Sequence, residues 1–170
     1  FQNPPMLFGN LVTSLYGYDA ACTASFTDVS DEGFTVYLNN SPGGEEDQDQ
    51  VSYLAVDEIP AGFQAGTIQT LPADGWQTVE FESQFSEIPL IWAAVNTRNH
   101  ATIVHVEIQN VATSGFDLRL RLDSGAGFIY PPGKPKKETL VWLAAEQPTA
   151  QALGQSGKIV VSSESWTRIQ

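Results

Sequence analysis

The chain has 170 residues, 42% of them hydrophobic, 16% charged and 11% aromatic, which is enough for one large or two small domains with a real core. Twenty acids against eight bases give a net charge of −12, which argues against phosphate-backbone binding, and no apolar run is long enough to span a membrane as a helix. A single cysteine, Cys22, excludes a disulfide scaffold and a thiolate metal cluster, and it reads as a small core filler. No charged-then-apolar leader opens the sequence, so an export signal is expected to have been removed.

Taken in chain order, the segments alternate apolar and polar residues at period two, as half-buried strands do. Residues 34–38 (Phe-Thr-Val-Tyr-Leu) and 76–81 (Trp-Gln-Thr-Val-Glu-Phe) do so in the first half. Residues 103–108, 116–122 and 157–161 do so in the second. Two runs, 51–56 and 140–145, are apolar nearly throughout and suit strands at a sheet centre or buried on both faces. Turn formers lie between, among them Ser-Pro-Gly-Gly at 41–44, Ala-Asp-Gly at 73–75 and Pro-Pro-Gly at 131–133. Only 145–153 has a helical cast, and it is short. Strands at this spacing predict an all-β sandwich or barrel.

The chain is also two copies of one pattern. Phe1-Gln-Asn-Pro-Pro5 matches Phe85-Ser-Glu-Ile-Pro89, and 26–34 matches 108–116, each ending in Gly-Phe. Val51-Ser-Tyr-Leu-Ala-Val56 matches Leu140-Val-Trp-Leu-Ala-Ala145. Gly66-Thr-Ile68 matches Gly157-Lys-Ile159, and Gly75-Trp76 matches Ser165-Trp166. The second copy runs whole from about Gly66 to Glu146. The first opens at Phe1, and the match to its opening strands lies at 157–170. Two small antiparallel sandwiches are therefore expected, one from 1–63 plus 157–170 and one from 64–150. Gly157, Ile159, Val161, Trp166 and Ile169 would form the completing strands, in the same chain or in a neighbouring copy.

The second copy, read as Gly66-Thr-Ile, Gly75-Trp76, Val79-x-Phe81, Phe85-x-x-x-Pro89, Val104-x-Val106, Gly115-Phe116 and Val141-Trp-Leu-Ala-Ala-Glu146, resembles an H-type lectin domain. The resemblance covers both copies and implies a six-stranded antiparallel sandwich, a trimer and binding of galactose or N-acetylgalactosamine. Its sugar site does not carry over. Where that family places an arginine before the Val-x-Val strand, this chain has Ile103 and, in the first copy, Ala21. Asp123-Ser124 and Ser41-Pro42 replace its Trp-His pair, and the longer loop with its aspartate is missing.

Other candidate sites are few. Trp92 occupies a copy-specific position, and with Arg98, Arg119 and Asp123 it forms the candidate carbohydrate site. Arg119 and Arg121 fall on one strand face as a cationic strip for acids of another copy or an anionic glycan. Trp76, Trp142 and Trp166 occupy core or turn positions. Glu45, Glu46, Asp47 and Asp49 crowd one loop and form the candidate Ca²⁺ site, without the spaced order of a calcium loop. His100 and His105 face opposite sides of a strand and make no zinc pair. Glu80 and Glu82 share a face, but no nucleophile elbow, zinc-binding motif or phosphate loop is present, so a non-enzymatic protein is expected.

Charge supplies the last clue. Residues 1–97 hold fourteen acids and no Lys or Arg, whereas the remainder nets about +2. This polarity predicts copies meeting head to tail in an extracellular or cell-surface fibre or array, needing no cofactor beyond possible Ca²⁺. The alternative expectation is a carbohydrate-binding or receptor-binding module for cell-surface glycans. Neither a nucleic-acid partner nor a membrane span is expected.

Overall fold

The computed structural model describes residues 1–11, 22–40, 51–99, 104–122 and 136–147. Its elements are ten β-strands: β1 (Met6–Leu11), β2 (Cys22–Thr27), β3 (Thr35–Asn40), β4 (Val51–Val56), β5 (Phe63–Thr70), β6 (Gln77–Glu80), β7 (Leu90–Val95), β8 (Val104–Ala112), β9 (Gly115–Leu122) and β10 (Glu138–Ala145). The protein is all-β, as the alternation predicts. No membrane-length apolar helix occurs among the described residues.

Among the described residues these form four small antiparallel sheets, ordered β1-β4, β2-β3, β5-β10-β7 and β6-β9-β8. The two three-stranded sheets face each other across Phe81, Phe116, Leu118, Leu140 and Trp142. Their alternate residues point inward because side chains of a strand alternate between faces. Gly115 is required at one close approach: a Cβ there would sit 2.2 Å from the Val79 carbonyl oxygen. That carbonyl belongs to the strand paired with it and cannot withdraw.

The β1–β4 half repeats this pairing register for register. Met6 pairs with Val56 and Gly9 with Tyr53, as Leu90 pairs with Ala145 and Ala93 with Trp142. Phe26 pairs with Val36 as Ile108 pairs with Leu118. Asp28 and Asn110, at matched positions, are the two non-glycine residues with positive φ among those described, at 52° and 50°. Both residue types tolerate this left-handed geometry better than most. Terminal contacts repeat as well. The Phe1 nitrogen donates to the Asp31 carbonyl at 3.0 Å, and the Phe85 N–H donates to the Thr113 carbonyl at 3.0 Å. The Gln2 N–H donates to the Asp57 carboxylate as the Ser86 N–H donates to Glu146.

The halves are packed on each other. Phe8 and Val56 from β1 and β4 share a buried cluster with Phe63, Leu90, Val141, Leu143 and Ala145. Both halves present the same outer face, since Val56 and Ala145 are matched residues, as are Phe8 and Trp92. Asn96 fastens the seam. Its Oδ1 accepts from the Leu7 N–H at 3.0 Å, and its Nδ2 donates to the Leu7 carbonyl at 2.8 Å, all buried. Both backbone groups of Leu7 would otherwise be stranded away from water.

Candidate functional site: an exposed apolar strand in the first half

In the complete half, β10 lies between β5 and β7, so every residue from Leu140 to Ala145 is buried. Its counterpart β4 pairs only with β1 among the described residues. Tyr53 is 59% exposed where the matched Trp142 is 6% exposed, and Leu54 is 44% exposed where Leu143 is 1% exposed. The apolar run at 51–56, expected at a sheet centre or buried on both faces, thus has one strand neighbour among the described residues. No described strand occupies the position that β5 holds beside β10.

In the second sheet of this half, β3 likewise pairs only with β2 among the described residues. Phe34 and Tyr53 meet edge to face with ring centroids 5.1 Å apart, matching Phe116 and Trp142 at 5.6 Å. Over the latter pair lies Phe81, with centroids 5.7 Å from Phe116 and 5.9 Å from Trp142. Phe81 also stacks on Phe85 at 4.9 Å. No described residue plays its part over Phe34 and Tyr53, and Phe1, the counterpart of Phe85, is 52% exposed. Gly33 tells the same story. A Cβ on Gly115 would strike β6, whereas one on Gly33 would meet nothing within 4 Å. Among the described residues, each sheet of this half thus has two strands where the other half has three, and no ring meets both Phe34 and Tyr53 as Phe81 meets both Phe116 and Trp142.

The proposed completing residues Gly157, Ile159, Val161, Trp166 and Ile169 lie outside the described residues. So do the calcium candidates Glu45, Glu46, Asp47 and Asp49, together with Asp123, His100 and Cys22's side chain. Among the described residues, no three metal-ligating side chains cluster.

The carbohydrate candidates are not brought together. Trp92 lies on β7, its ring 6.5 Å from Phe63, and it borders a cleft of about 520 Å³ between the halves with Phe8, Ser52, Tyr53, Leu54 and Ile91. Arg119 lies on β9 in the other sheet, facing away from the core that Leu118 and Leu120 enter. There its guanidinium sits 4.3 Å over the ring of Trp76, which is at the surface. Arg98 follows β7 at the surface.

The arginine strip is not purely cationic. Glu107, across on β8, accepts from Arg119 Nε at 2.6 Å and from Arg121 Nη1 at 2.8 Å. Hydrogen bonds from Arg121 and then Arg119 hold its carboxyl below the usual range. His105 lies 3.7 Å away. Glu107 was legible in the alternation of 103–108; its pairing with both arginines needed the strand register.

A second polar cluster went unforeseen. The buried Glu138 carboxylate accepts from Thr97 Oγ1 at 2.5 Å and from the Asn99 N–H at 2.8 Å. Thr97 Oγ1 in turn accepts from the Thr139 N–H. This network ties the start of β10 to the segment after β7, so Glu138 works here as a structural anchor.

Comparison with known proteins returns no matching family model, no matching curated protein and no matching solved structure.

Proposed function

We propose that this chain is an extracellular, non-enzymatic structural or adhesive module of two H-type-lectin-like sandwiches. Residues 157–170 complete the first sandwich by strand addition, and copies join head to tail into a fibre or surface array. The observation that supports this reading is the contrast between β10, buried between two strands, and its counterpart β4, which pairs with β1 alone among the described residues and exposes Tyr53 and Leu54. An edge of this kind binds a strand through main-chain hydrogen bonds and selects it through pockets for alternate side chains. Exchange of that strand pair between copies links them, while the acidic front and basic remainder set the direction. Light scattering and negative-stain microscopy test the reading. The mass should rise with protein concentration and fall with added salt. A single mass from micromolar to millimolar protein at every salt concentration would overturn assembly.

A glycan-binding role is the second reading, favoured by the cleft of about 520 Å³ bordered by Trp92, Tyr53 and Ser52. A glycan array separates the two. Retention of a sugar that Trp92→Ala abolishes would put binding ahead of assembly.

A further inference from the structure

The bases of the sequence are spread over 98–168, and the structure gathers two of them into one ordered surface. On the outer face of the β6-β9-β8 sheet, Glu107 lies opposite Arg119 and His105 opposite Arg121. Arg119 reaches Glu107 through both Nε and Nη2 at 2.6 Å, and Arg121 reaches it through Nη1 at 2.8 Å. One carboxylate thus holds two guanidinium groups, which leaves this face with a surplus positive charge. Trp76 steadies Arg119 further, its ring centroid 4.3 Å from the guanidinium carbon.

A guanidinium carries five N–H donors, so each arginine keeps donors beyond those that Glu107 takes. They are within reach of a partner, because the Arg121 side chain is 55% exposed and that of Arg119 33% exposed. Trp76 also lies at the surface. Tryptophan and arginine are the residue types that most often dominate binding energy at protein interfaces. Because these side chains are already held, little rotamer freedom is lost when a partner arrives.

The chemistry of the partner comes from the first half. Residues 1 and 2 draw the turn at 28–33 and the end of β4 together, through the Phe1 bond to Asp31 and the Gln2 bond to Asp57. Asp28, Asp31, Glu32, Asp57 and Glu58 therefore share one end of that half. No Lys, Arg or His pairs with any of them among the described residues. At the matching positions of the second half stand Asn110, Thr113, Ser114, Glu146 and Gln147, so five acids face a single counterpart.

We infer that the face built by Trp76, Arg119 and Arg121 binds the acidic end of a second copy at Asp31, Glu32 and Glu58. This names the contact in the head-to-tail reading above and rests on it. Carboxylate and guanidinium meet in charge-assisted hydrogen bonds, which are stronger than neutral ones. The two surfaces differ, so the contact is heterologous and each copy keeps one of them for the next.

Analytical ultracentrifugation of the full chain tests this with Arg119→Gln Arg121→Gln and with Asp31→Lys Glu32→Lys Glu58→Lys. Each variant alone should associate about tenfold or more weakly than the parent chain at low salt. Mixed in equal amounts, they should form a dimer of one copy each and nothing longer, because a single intact pair of surfaces remains. Should the arginine variant fail to fold, Arg121→Ala alone changes the more exposed arginine and should weaken association about threefold. An arginine variant that associates like the parent overturns this contact and leaves assembly standing. Longer species in the mixture, or no dimer, overturn the pairing of these two surfaces. Retention of the parent on heparin, lost in the arginine variant while self-association is unchanged, gives the face to anionic glycans instead. A parent chain that stays monomeric at every concentration overturns assembly itself.

Discussion

β4 and β10 are matched strands with nearly the same pattern, Val-Ser-Tyr-Leu-Ala-Val against Leu-Val-Trp-Leu-Ala-Ala, yet they live in different surroundings. β10 has a neighbour on each edge and a packed sheet face on each side. β4 has one neighbour among the described residues, and its Tyr53 and Leu54 face water. The hydrophobic pattern of a strand thus states what the strand is able to bury. The strands that arrive beside it decide what is buried, and that difference turns a core strand into a candidate docking edge.

Trp142→Ala should have the largest effect on this comparison. It removes an indole packed on Phe81 and Phe116 and should cost about 3–5 kcal/mol in chemical denaturation. Tyr53→Ala is the sharper probe. With 157–170 beside β4 it should cost about 2 kcal/mol or more, whereas a loss below about 0.5 kcal/mol would show that Tyr53 stays at the surface.

Two smaller changes probe the frame around these strands. Gly115→Ala should cost about 1–3 kcal/mol, because its Cβ meets a paired carbonyl. Asn96→Ala strands two backbone groups of Leu7 and should cost about 1–3 kcal/mol. If the seam couples the halves, the same variant should split a single unfolding transition into two, read by fluorescence and calorimetry together.

The smallest effect is electrostatic. Glu107 and Glu146 have carboxyl groups held below their ordinary value of 4.5, by Arg121 and Arg119 in one case and by Ser86 in the other. A depressed folded pKa adds stability at pH above the unfolded value, and that stability is lost as pH falls through the folded value. Melting temperature should therefore fall as pH drops below about 4.5, and a Glu107→Gln Glu146→Gln variant should show a shallower fall. An unchanged slope would show that these surface contacts contribute nothing measurable.

Much of the architecture was legible because strand period and internal repetition are local signals. The match of 51–56 to 140–145, and of Phe1–Pro5 to Phe85–Pro89, fixed a frame that the pairing register follows pair for pair. The site was less legible. Trp92 and Arg119 read as partners in one candidate site, but they lie on strands of opposite sheets and face outward in different directions. Arg119 and Arg121 read as an open cationic strip, but Glu107 is brought opposite them by the β8–β9 register. Asn96 and Glu138 gave no signal, since an isolated polar residue near a strand end looks the same whether it faces water or a buried backbone.

The sequence by itself determined the alternation, the turn positions, the repeat and its frame, because each depends on neighbouring residues or on comparison of one segment with another. Tertiary structure alone decided that the two halves pack through equivalent outer faces at Phe8, Val56, Val141 and Leu143, and that β10 is buried where Tyr53 and Leu54 of β4 are exposed. Burial depends on which surfaces meet, and that is settled by contacts between residues far apart in the chain.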